Sequence, residues 1–131
     1  MIKAFISSTL QTAWNREYNL RLCDRLESRS IECFLPQRDA DASSTKRIFE
    51  SNIEGINEAT VVLSVALNES PNLGFEAGYA YGRKKNLVLI TTHDHVMPEL
   101  FAGMNGRADI IVVADLNAID SYLDDLIEKL R

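Results

Sequence analysis

Several large classes of protein are excluded by what this sequence lacks. It has two cysteines in 131 residues, too few for the disulfide framework of a small secreted domain. Cys33 alternates with Ile31 and Leu35, as on the inner face of a strand. Cys23 lies among Leu20, Leu22 and Leu26, as in a helix core. Both read as buried thiols in a reducing compartment. Positive charge is not in excess: 14 Lys and Arg stand against 19 Asp and Glu, a net of −5. That argues against nonspecific binding to a nucleic acid polymer or an anionic membrane. No apolar run approaches the ~20 residues of a membrane span. Met1 leads straight into a strand-like segment with no signal peptide, so a cytoplasmic location is expected. Neither GxGxxG nor GxxxxGK followed by Ser or Thr occurs, which argues against a dehydrogenase-type dinucleotide fold and excludes a P-loop. There is no GxSxG nucleophile elbow. No repeat, low-complexity segment or linker interrupts the chain, and its length suits one domain over residues 1–131.

What is present is a regular alternation. IKAFI (2–6) reads as a strand, and residues 13–28 carry a helical period with Leu20, Cys23 and Leu26 on one face. IECFL (31–35) is a strand closed by Pro36, and 37–45 reads as a polar loop. Ser43 or Ser44 caps a helix over 45–58 that turns Ile48, Phe49, Ile53 and Ile56 inward. TVVLSVAL (60–67) reads as a continuous apolar strand of the kind buried on both faces of a sheet, NLVLIT (86–91) as another buried strand, and DIIVVAD (109–115) as the fifth. A last helix over 117–130 aligns Ile119, Leu123, Leu126, Ile127 and Leu130. Five β-α units predict an α/β protein, a doubly wound five-stranded parallel sheet of flavodoxin-like type with strand order 2-1-3-4-5. Such sheets bind ligands beyond the carboxyl ends of strands 1 and 3.

That edge is where NESPNLGFEAGYAYGRKK (68–85) falls. Gly74, Gly78 and Gly82 are four apart and form a bare stripe if the segment is helical. Each costs about 1 kcal/mol relative to alanine, which suggests a close backbone approach. Glu76 points away from that stripe, in the expected first turn of the helix, where unpaired N–H groups favour an ionised carboxylate or an anion. Arg83, Lys84 and Lys85 then solvate the helix end. Ser7, Ser8 and Thr9 after strand 1, Asn68 to Asn72 after strand 3, and Gln37, Arg38 and Asp39 after strand 2 share the same edge. A carboxylate ringed by hydroxyls and amides can hold a sugar hydroxyl or a cation, or attack an oxocarbenium-like carbon. His93 and His95 form a weak metal signal with no second ligand cluster, and a solvated loop is the simpler reading. Trp14 reads as packing.

FISS (5–8), FLPQRD (34–39) and above all LGFEAGYAYGRKKNLVLI (73–90) resemble the nucleoside 2-deoxyribosyltransferase family, which includes nucleoside-monophosphate N-glycosidases. The resemblance implies the same flavodoxin-like sheet and a soluble enzyme without cofactor or metal. It implies Glu76 as nucleophile at the anomeric carbon, with the group passed to another free nucleobase, or to water. It implies Gln37 at the base, with Ser7, Ser8, Asn72 and the backbone at Gly74 near the sugar or its 5′ substituent. A homo-oligomer with a shared site is implied, Met104 and Asn105 being the candidate contributions of a neighbour. Ser70 stands where transferases carry an aspartate, and a serine there resembles the monophosphate hydrolases. Asn52 stands where the family carries an aspartate that orients the nucleophile and moves a proton; Glu50 or Glu54 would have to substitute. FISS, the Ser64–Ser70 segment and a glutamate in the next helix also resemble TIR-type domains, some of which cleave NAD. A nucleotide-binding module without turnover is the alternative of a different class.

Overall fold

A computed structural model of the chain describes all residues except Asn105 and Ala114, together with the side chain of Asn117. Its elements run β1 (Lys3–Ser7), α1 (Ala13–Glu27), β2 (Glu32–Phe34), α2 (Pro36–Asp39), α3 (Thr45–Glu58), β3 (Val61–Val65), α4 (Pro71–Gly82), β4 (Asn86–Thr91), α5 (Glu99–Ala102), β5 (Asp109–Val112) and α6 (Leu116–Leu130). The five strands are parallel in the order β2-β1-β3-β4-β5, the flavodoxin-like order expected from the alternation. All five residues of β3 are buried, as a central strand covered on both faces requires.

Alternation along the strands divides the core in two. Ala4, Ile6, Leu63, Val65, Val88 and Ile90 pack with Leu22, Cys23 and Leu26 of α1 and with Ile119 and Leu123 of α6. Phe5, Val62, Leu87 and Leu89 face the other way, against Ile56 of α3 and Leu73, Ala77 and Ala80 of α4. Helix α3 reaches the sheet at Gly55, where an added Cβ would lie 3.0 Å from both Phe34 and Phe5. Hydroxyl and carboxylate caps start the long helices: Thr12 accepts from the Asn15 N–H, Ser44 from Arg47, Ser70 from Leu73 and Asp115 from Ala118.

Several expectations are corrected. Residues 36–39 form a short helix rather than the start of a loop, because Pro36 is preset for a first helical position and Asp39 accepts the Leu35 N–H at 2.8 Å. A second short helix, α5, precedes β5. Leu20 is turned to solvent, and Leu22 takes its place in the core. Ile48 and Phe49 are 41% and 55% exposed; their helical period reflects an apolar cavity wall. The glycine stripe of α4 approaches nothing: a Cβ at Gly74, Gly78 or Gly82 meets no atom within 4 Å. The basic run ends α4 as anticipated, Arg83 being its C-cap and Lys84 adopting a left-handed φ of 59°. No helix among the described residues is long and apolar enough to cross a membrane.

Candidate active site

The cavity at the carboxyl ends of β1 and β3 has a volume of about 380 Å³. One wall is polar, with Ser8 and Thr9 from the loop after β1 and Ser70 and Asn72 at the start of α4. The other is apolar, with Ile48, Phe49 and Ile53 of α3 and Phe75 of α4. Asn52 and Glu76 lie between them. A wider groove of about 880 Å³ runs between α1 and α6 past Trp14 and Tyr18, whose rings stack at 4.9 Å. The smaller cavity is the candidate site because it encloses a carboxyl group that its surroundings perturb.

That group is Glu76. Leu73, Ala77 and Ala80 anchor α4 to the sheet, and this face brings Glu76 over the end of β1. There the buried Ser7 hydroxyl donates to Glu76 Oε1 at 2.9 Å. Oε2 has no hydrogen-bond partner among the described residues and is the oxygen left for chemistry. Glu76 is the sixth residue of α4, hence in its second turn and not, as expected, in the first. The helix dipole fades within one turn. Burial therefore dominates and pushes the carboxyl up from 4.5 to about 7, while the Ser7 hydrogen bond pulls it partly back.

Asn15 holds the polar wall in place. It is fully buried in the first turn of α1. Its amide nitrogen donates to Ser8 Oγ at 3.2 Å and to the Leu67 carbonyl at 3.1 Å. Its oxygen accepts from Thr12 Oγ1 at 2.6 Å and from Asn68 Nδ2 at 2.8 Å. The loops after β1 and β3 are thus tied through one side chain, with Asn68 held at a left-handed φ of 55°. The sequence reading missed Asn15. The one local signal was its place three residues after the capping Thr12, in a first turn whose other residues are Ala13, Trp14 and Arg16.

Of the residues singled out from the sequence, Ser8, Asn52, Ser70, Asn72 and Glu76 line one cavity. Ser7 lies beneath it on Glu76, and Gly74 is on the solvent side of α4. Gln37 is elsewhere: its carbonyl accepts from Asn19 at 3.1 Å and its amide donates to the Arg16 carbonyl at 3.1 Å. Asn105 lies outside the described residues; Met104 packs at the edge of the α4-side core. Glu50 is paired with Arg47 at 3.4 Å, and neither it nor Glu54 is among the residues lining the cavity. The Asn52 oxygen is buried with no hydrogen-bond partner among the described residues. His95 is not simply solvated; its Nε2 lies 2.7 Å from Glu69 Oε2, linking the loops after β4 and β3. No cluster of three metal-ligating side chains occurs among the described residues.

Comparison with known proteins bears on the fold and the family. A CMP N-glycosidase from Clostridium botulinum superposes with a TM-score of 0.70 at 17% identity, over 93% of this chain and 98% of that one. A 2-deoxyribosyltransferase from Bacillus psychrosaccharolyticus gives 0.70 at 14% identity, over 90% of each chain. A conserved protein from Enterococcus faecalis gives 0.76 at 16%, over 99% and 97%. At these identities the likeness concerns the fold. A comparison with curated proteins found no match. The model of the family described as "Nucleoside 2-deoxyribosyltransferase like" matches residues 2–93, which include every element from β1 to β4 and both Glu76 and Asn52. The chain belongs to the nucleoside 2-deoxyribosyltransferase-like family.

Proposed function

We propose that this protein cleaves the N-glycosidic bond of a (deoxy)nucleoside or nucleotide, with Glu76 as nucleophile, and transfers the glycosyl group to a second base. The observation that carries this reading is the Glu76 carboxyl, held by Ser7 at one oxygen and presenting the other to a cavity of nucleoside size. Oε2 attacks the anomeric carbon. The bond to the base breaks, and a glycosyl ester forms on Glu76. An incoming base displaces the ester, loses its N–H proton to solvent and regenerates the carboxylate, while the departed base takes up a proton from solvent. A raised proton affinity makes Glu76 a stronger nucleophile than a solvated carboxylate once it is ionised. Ser8, Ser70 and Asn72 supply hydrogen bonds to the sugar and its 5′ group. Asn52 orients the departing base but has no proton to give.

A second reading, hydrolysis of a nucleoside 5′-monophosphate, is favoured by Ser8 and Ser70 lining the same wall, with Ser70 capping α4. The assembly we propose is a homo-oligomer. The exposed side of α4 shows Gly74, Phe75, Gly78, Tyr81 and Gly82 and no charged residue, a surface suited to close packing against a second copy beside the cavity mouth. The chain acts as one cytoplasmic domain.

The test is incubation with deoxynucleosides, their monophosphates and NAD, with and without acceptor base, followed by chromatography of bases and sugars. A new nucleoside formed only with acceptor, and absent with Glu76→Ala, is expected. Free base independent of acceptor would replace transfer by hydrolysis, and Ser70→Ala would then weaken monophosphates more than nucleosides. Cleavage of NAD alone would favour the TIR-like alternative, and no turnover in any mixture would leave a binding module.

A further inference from the structure

N-glycosidic cleavage makes two demands on a site. A nucleophile must meet the anomeric carbon, and the leaving nitrogen must not depart as an anion. Glycosidases usually meet these with two carboxyl groups, one of them a proton donor. Among the described residues lining this cavity, Glu76 is the only titratable side chain. It cannot attack through an ionised oxygen and protonate the base in the same step. Asn52 occupies the place between Glu76 and the apolar wall and carries no acidic proton. Of the acids near in sequence, Glu69 pairs with His95 and Glu50 with Arg47, and Glu54 does not line the cavity. The rest of the cavity has a matching character. Phe49 and Phe75 present rings 6.0 Å apart, inclined at 56°, and each is about half exposed to the open space. No lysine or arginine lines it.

We infer that the site takes an N-glycoside whose heterocycle already carries a fixed positive charge, such as an N7-alkylated purine nucleoside. The inference rests on the reading of Glu76 as nucleophile. Oε2 of Glu76 forms the bond to C1′, and the C1′–N bond breaks. Its electron pair returns to the ring, which leaves neutral without receiving a proton. Water or a second base then attacks C1′, the ester bond to Glu76 breaks, and the attacking group loses its proton to solvent. The carboxylate and the two ring faces favour the cationic substrate before the step, through Coulomb attraction and cation–π contact.

Guanosine and N7-methylguanosine, each as riboside and 2′-deoxyriboside, are assayed for base release, with the Glu76→Ala rate subtracted. The methylated members should be cleaved at least about 100-fold faster than their parents, the low end of what a general acid supplies. Asn52→Asp should accelerate the parents and leave the methylated members nearly unchanged. Phe49→Leu and Phe75→Leu should each raise KM for the cationic substrates about threefold to thirtyfold. Glu76-dependent cleavage of the parents at rates equal to their methylated forms would overturn the inference and leave the nucleophile reading intact. If no substrate is cleaved in a Glu76-dependent manner, both fall.

Discussion

Replacing Glu76 by glutamine should stabilise the protein at pH 8 and leave its stability nearly unchanged at pH 4. In the folded chain the carboxyl titrates at about 7, against 4.5 in an unperturbed glutamate. Between those values the native state holds more protons than the unfolded one, so stability falls as pH rises. The favourable contribution of the neutral carboxyl is complete below pH 4.5 and is lost as pH passes 7. The gap of about 2.5 corresponds to about 3.4 kcal/mol at 1.36 kcal/mol per pKa unit. One oxygen borders the cavity and is partly hydrated, which reduces the expected gain to about 2 kcal/mol. Glutamine keeps the shape and still accepts from the Ser7 hydroxyl, but never has to ionise. Urea unfolding of both proteins from pH 4 to 8.5 measures the difference. A gap that opens between pH 5 and 8 is expected. A pH-independent difference, or a wild type more stable at pH 8, would refute the argument that burial dominates at Glu76.

Asn15→Leu should cost about 3 kcal/mol or more in urea unfolding, because it strands Thr12, Asn68, Ser8 and the Leu67 carbonyl without their common partner; a cost below 1 kcal/mol would remove its bridging role. Gly55→Ala should destabilise by about 1–3 kcal/mol through overpacking against Phe5 and Phe34, read from the same unfolding midpoint. Gly78→Leu meets open space within the chain and should leave the far-UV circular dichroism unchanged while converting an oligomeric wild type to monomer in sedimentation velocity. Identical sedimentation of wild type and variant would mean that the glycine stripe is not the contact.

The sheet was legible because its signals are local and redundant. The apolar runs at 60–67, 86–91 and 109–115, each bounded by turn residues, have the length of strands rather than helices, and right-handed crossovers leave few orders for five of them. Glu76 was legible for a different reason: it is a lone acid in a helix otherwise made of small and aromatic residues. Misreadings arose where one pattern has two physical causes. Ile48 and Phe49 keep the same period whether they face a core or a cavity wall, and only the position of α3, fixed by the Gly55 approach to Phe5 and Phe34, decides between them. The engagement of Gln37 by Asn19 and Arg16 depends on a contact between α1 and α2 that no local pattern encodes. The bridging role of Asn15 was not legible because two of its partners, Leu67 and Asn68, lie in the loop after β3, more than fifty residues away. The placement of Glu76 in the second turn turned on one boundary, the start of α4 at Pro71, and that single turn reverses the expected direction of its proton affinity.

That reversal explains the composition of α4. In the first turn, a carboxylate would be held ionised by the unpaired N–H groups and would be a weak nucleophile. One turn later it lies over Ser7, away from the helix end, and burial raises its proton affinity at the expense of stability at neutral pH. Three glycines forgo about 1 kcal/mol each in helix propensity, and their sites are sterically open. The helix is held by the small buried face of Leu73, Ala77 and Ala80 rather than by its own backbone preference. Local preference and fold agree along β1, β3, β4 and α6; they conflict in α4, on the segment that carries the proposed nucleophile. A sequence departs from its own local rules chiefly where a site requires it. Here the two departures lie on opposite sides of one helix: the carboxyl toward the cavity floor, the glycines toward solvent. Each side therefore needs its own explanation: the proposed chemistry on the inside and the proposed second copy on the outside.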